Sequence, residues 1–155
     1  MTPHQFLAEV VQPNVEDAVA HPGALRHVCN AMQSMDALMG IAFWHLHERN
    51  DCRATKHRDN DSAFKSDLAV SSQEIRVLTD AAYALKHGRL TRGDRMVRSV
   101  SQVTEGPNVV GVFRVGDFVG GNVIYLDLPN GKAAARDIII EANRFLRQFV
   151  DSLST

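Results

Sequence analysis

The sequence predicts an α+β chain: an N-terminal helical half, a three-stranded antiparallel meander and a C-terminal amphipathic helix, packed as a single domain over residues 1–155. Two changes of pattern lead to that class. Up to about Gly93, apolar residues recur at three- and four-residue steps. Residues 94–155 instead open with short β-prone runs punctuated by glycine and close on a second helical pattern from Lys132. At 155 residues, 45% hydrophobic and 23% charged, the chain can bury one real core.

The helical half divides at its prolines and polar runs. Phe6, Leu7, Val10 and Val11 mark a short helix that should break at Pro13 and pack across its neighbour. Pro22 suits a first helical position, and Leu25, Val28, Met32, Met35, Leu38, Met39, Ala42 and Leu46 carry one long helix to about Arg49. Met32, Met35 and Met39 read as core filling. Asp36 lies among them, about 60° from the centre of the apolar stripe, so it belongs at the boundary or needs a partner. The run NDCRATKHRDND, Asn50 to Asp61, has no period and reads as an exposed loop whose partner is solvent.

Helical signals resume at Ser62 with AFKSDLAV. Ser71 and Glu74 have capping-box spacing ahead of Ile75, Leu78, Ala82 and Leu85, and Gly88 suits the position just past the helix end. Lys86 and His87 then fall in the last turn, where a cation interacts favourably with the helix dipole by about 0.3–1 kcal/mol. The predicted strands are MVRSVSQVTE, VVGVFRV and NVIYLDL. After a turn at Asn130 and Gly131, Ala135, Ile138, Ile139, Ala142, Phe145, Leu146, Phe149 and Leu153 mark the final helix. Its other face holds Arg136, Asp137, Glu141, Arg144 and Arg147.

Three groups of residues are candidates for chemistry. Arg76, Asp80, Tyr83 and His87 fall on one side of the capped helix. They read either as a solvated face with an Arg76–Asp80 ion pair or as a site completed by another element, with Asp80 and His87 as its catalytic candidates. The segment KHGRLTRGDRMVR sets Lys86, Arg89, Arg92, Arg95 and Arg98 against Asp94 alone. Lys86, Arg89, Arg92 and Arg95 are the anion-binding candidates, with His87 as a proton carrier near neutral pH. No aromatics are interleaved to stack on bases. His45 and His47 are the weak metal-ligand candidates, but residues two apart on a regular helix point about 200° away from each other and cannot share one ion. No metal or cofactor is expected.

Several classes are unsupported. The sequence has no GxxxxGK[ST], GxGxxG after a strand, HExxH, CxxC or GxSxG, so the usual nucleotide hydrolysis, dinucleotide redox and serine hydrolase chemistries lack their motifs. Net charge is -1 with a pI near 6.6, which gives no global field for nucleic acid. Cys29 and Cys52 make no disulfide framework, and the apolar runs are too short for a membrane span or secretion signal. A reduced, cytoplasmic, non-membrane protein is the expectation.

NAMQSMDALMGIAFWH in the long helix, DAAYALKH, and the stretch from VIYLDLPNG onward together resemble a family of uncharacterised bacterial proteins. Those pair a helical half bearing an Asp, Ala or Asn, and Lys-His run with a C-terminal β segment and helix, and the resemblance implies no activity. The helical half also resembles HEPN domains, many of which are ribonucleases with an Arg, four to six residues, and a His. Here no histidine follows an arginine at that spacing. The expectation is therefore a non-enzymatic binding or regulatory module that forms a homo-oligomer through uncovered strand edges, with RNA or another polyanion as a partner. The alternative is a nuclease or other phosphate-directed hydrolase using His87 with the basic segment Lys86 to Arg98.

Overall fold

The computed structural model describes residues 1–108 and 121–154. It begins with a capping box in which Thr2 Oγ1 accepts from the Gln5 N–H and Gln5 Oε1 accepts from the Thr2 N–H, starting α1 (Pro3–Phe6). The helix does not break at Pro13. It widens into a π-turn over Leu7–Val11, in which the Gln12 N–H reaches Leu7 O, and continues as α2 (Gln12–Ala20). A proline inside a regular helix collides with the carbonyl four residues back. The wider turn relieves that crowding, and Pro13 lies just inside the renewed helix, where its missing N–H does little harm.

Pro22 and Gly23 form a turn, and α3 (Leu25–Glu48) starts after it. Its methionines Met32, Met35 and Met39 are buried, as their spacing predicts. The polar run after α3 is more than a solvated loop. Asp51 caps a four-residue helix, α4 (Cys52–Thr55), and Ala54 is buried. Nearby, His57 Nε2 lies 3.1 Å from Asp67 Oδ2, which also accepts from Lys56 Nζ at 2.5 Å. The segment looks unpatterned in sequence because side-chain bonds rather than an apolar stripe hold it.

Next come α5 (Asp61–Ser71) and α6 (Gln73–His87), joined by one extended residue. That residue, Ser72, is the cap: its Oγ accepts from the Ile75 N–H at 3.2 Å and donates to Glu74 Oε2 at 3.0 Å. Ser71, the expected cap, is the last residue of α5. Gly88 ends α6 with φ +76°, as its position predicts.

The antiparallel three-stranded sheet is present in the order β1 (Val103–Pro107), β2 (Asn122–Leu128), β3 (Gly131–Ala134), but its strands are not quite the expected ones. Only the end of MVRSVSQVTE is strand. Ahead of it, Arg89 bridges Ser99, and Val100–Gln102 form a 3-10 turn capped by Ser99. VVGVFRV lies outside the described residues. NVIYLDL is the central strand β2, and the residues after the Asn130–Gly131 turn, expected to be helical, pair with it from Leu128↔Gly131 to Tyr125↔Ala134. α7 (Ala135–Asp151) therefore starts three residues later than the sequence suggested. It buries Ile139, Ala142, Leu146 and Val150 in a core shared with α2, α3, α6 and β2. Arg136, expected on its polar face, is buried in the first turn with Nε 3.8 Å from the Asp137 carboxylate.

Candidate functional site

The residue row on α6 leads to a cleft. Asp80 lies at the middle of α6 and is only 2% exposed. Its Oδ1 accepts from Arg95 Nη1 at 2.8 Å, and its Oδ2 accepts from the Met96 N–H at 2.7 Å. One turn earlier, Arg76 Nη2 donates to Asp94 Oδ2 at 2.8 Å and to the Asp94 carbonyl at 3.1 Å. The expected Arg76–Asp80 pair is thus replaced by two pairs that tie the strap Gly93–Met96 across α6. Helical neighbours of opposite charge attract weakly in water. A buried carboxylate gains more from a guanidinium and a backbone amide that both reach it from another segment.

Strap, α6 and α5 together line a cleft of about 720 Å³. α5 contributes Lys65, Ala69 and Val70; α6 contributes Gln73, Arg76, Thr79 and Asp80. Lys65 escaped the sequence reading, in which Asp36 either lay at the boundary or had a partner. Its ammonium donates to Asp36 Oδ2 at 2.9 Å and lies 3.8 Å from Asp61 Oδ2, one turn back on α5. Asp36 is thus both a boundary residue and an ion-paired one. Tyr83 is half-buried, with Lys65 Nζ and Arg95 Cζ each 5.8 Å from its ring centroid, within cation–π range. Thr79 also escaped notice: it is 7% exposed, and its buried Oγ1 has no hydrogen-bond partner among the described residues.

His87 does not join the cleft. It is exposed at the end of α6, its ring 6.4 Å from that of Tyr83. Of the basic segment, Arg95 is turned inward to Asp80. Lys86, Arg89, Arg92 and Arg98 are exposed, and none has an ion-pair partner among the described residues. His45 and His47 have separate neighbours, Arg49 Nη1 at 3.4 Å and Asp59 Oδ1 at 3.5 Å. Among the described residues no three His, Cys, Asp or Glu side chains are grouped to hold a metal, and no helix is long and apolar enough to cross a membrane.

The perturbed acids lie around α4. Hydrogen bonds from the Arg53 side chain and backbone hold the Asp51 carboxyl down at about 2. The Lys56 ammonium bonded to Asp67, with His57 beside it, lowers the Asp67 carboxyl too, and burial raises the Cys29 thiol. Chemically, the cleft is lined by paired charges with a smaller aliphatic patch at Ala69 and Val70. Both oxygens of its buried carboxylate are engaged, which leaves no free base there. Comparisons with protein-family models, with curated proteins and with solved structures found no match to this chain.

Proposed function

We propose that the chain is a non-enzymatic binding module that takes a polyanion, RNA above all, on the segment from Lys86 to Arg98. The observation that carries this reading is the division of labour within that segment. Asp94 and Arg95 are engaged by α6, fixing the backbone, while Lys86, Arg89, Arg92 and Arg98 stand exposed with no ion-pair partner among the described residues. Charged side chains anchored on a fixed backbone and free of internal partners suit a phosphodiester chain, whose counterions they displace.

Titration of labelled RNA at low and at moderate salt tests this. Submicromolar binding that weakens steeply with salt is expected, and Lys86→Gln with Arg89→Gln and Arg92→Gln should abolish it without changing the melting temperature. Binding that survives the triple change, or that ignores salt, overturns the reading. The alternative, a phosphate-directed hydrolase using His87, has less support, because Asp80 is held by Arg95 and Met96 and cannot assist that imidazole. RNA cleavage by the parent protein that is lost in His87→Ala would favour it. Self-association belongs to the same proposal, since β1 and β3 each present an edge unpaired among the described residues. A clean monomer by sedimentation at micromolar concentration removes that part. A reducing, cytoplasmic setting fits Cys29 and Cys52 as free thiols.

A further inference from the structure

The cleft has donor capacity left over, and little acceptor capacity beside it. Asp80 uses both carboxylate oxygens, and Asp94 is a rim residue already bonded to Arg76. Among the described residues Arg76 makes its bonds through Nη2 alone, so Nε and Nη1 remain; Arg95 uses Nη1 and Nε, so Nη2 remains. Thr79 is among the residues that line the cleft, and its Oγ1 is buried with no hydrogen-bond partner among the described residues, an arrangement that costs stability. On the α5 side Ala69 and Val70 form an aliphatic patch beside Lys65 and Ser66. Val70 is 88% exposed at the cleft, an aliphatic side chain that the folded chain itself does not cover. At about 720 Å³ the volume matches that of small-molecule sites.

Unengaged guanidinium edges beside an uncovered aliphatic wall select one kind of ligand. We propose that the cleft binds a small amphiphilic anion, a carboxylate or phosphate monoester carrying a short apolar tail. The head group is met by Arg76 and Arg95, and the tail lies along Ala69, Val70 and Met96. By rotating its buried hydroxyl toward the head group, Thr79 then acquires in the complex the hydrogen bond it lacks without a ligand. The ligand contacts use none of Lys86, Arg89, Arg92 or Arg98, although Arg76 and Arg95 also hold the strap that carries part of that surface.

Amide chemical-shift titrations of the full chain with octanoate, phenyl phosphate and uncharged octanol separate the possibilities. At millimolar probe, shifts are expected at Val70, Gln73, Thr79 and Arg95 with one or both anions and much weaker ones with octanol. Whichever anion binds more tightly identifies the head group. Arg76→Gln should weaken binding about tenfold, the usual worth of one charge-assisted bond. Thr79→Val is the decisive variant: affinity should fall several-fold while the melting temperature holds or rises, whereas a structural hydroxyl would lower it. RNA binding should be unaffected by Thr79→Val. The inference is overturned if the shifts map to residues 86–92 instead, if none appear at millimolar anion, if octanol binds as well as octanoate, or if Arg76→Gln and Thr79→Val bind like the parent.

Discussion

Asp80 keeps its carboxylate between a guanidinium and a backbone amide with almost no water on it, so its removal has two unequal consequences. Arg95, whose side chain is 33% exposed, can turn to solvent; the Met96 N–H loses its acceptor where water does not easily replace it. Asp80→Ala should therefore cost about 2–3 kcal/mol in urea unfolding, nearer the loss of a buried polar partner than that of a fully buried ion pair. Asp94→Ala, at 89% exposure, should cost less than about 0.5 kcal/mol in the same experiment. The spacing of Arg76, Asp80 and Tyr83 was legible because helical geometry fixes which residues share a side. Their partners were not, since Lys65, Asp94 and Arg95 arrive from other elements, and only the misplaced charge of Asp36 hinted that one was needed.

Among the elements, α4 is held by charge where its neighbours are held by burial, and its response to acid should show that. The folded Asp51 carboxyl titrates at about 2, below the unfolded value of about 3.9. Its bond to Arg53 therefore contributes stability above about pH 4, which is lost as pH falls through the interval down to about 2. Asp67, also lowered, acts in the same direction. Amide exchange at Ala54 should accelerate across that window before exchange in α3 does, and Asp51→Asn should shrink the step to the part due to Asp67 while keeping a cap. The turn before α3 depends on shape instead. A Cβ on Gly23 would stand 2.5 Å from the backbone oxygen of Asn122, beside the bond from the Ile124 N–H to Pro22 O. Gly23→Ala should thus cost about 2–3 kcal/mol, measured by thermal unfolding, because backbone cannot swing aside as a side chain can. Periodicity made α3, α6 and α7 legible. It missed β3, because Lys132, Ala133 and Ala134 have good helix propensity and only pairing with β2 makes them strand. Likewise the π-turn admitted Pro13, which local rules read as a stop.

For the whole molecule, the core cluster draws on α2, α3, α6, β2 and α7, so the helical half and the C-terminal segment should lose structure together. Leu146→Ala on α7 should cost about 2–5 kcal/mol, and Trp44 fluorescence, reporting on α3, should move to the same new midpoint as far-ultraviolet circular dichroism. Separate midpoints would show two folding units. The strap across α6 has a bearing on how that common core is reached. Along α6 the charges run positive, then negative, at Arg76 and Asp80; along the strap they run negative, then positive, at Asp94 and Arg95. A strap threaded one position out of place brings Arg95 to Arg76, or Asp94 to Asp80, like charge against like. The two pairs thus act as a two-character address, in which only the correct alignment is neutral and each neighbouring misalignment is repelled before the chain can settle into it.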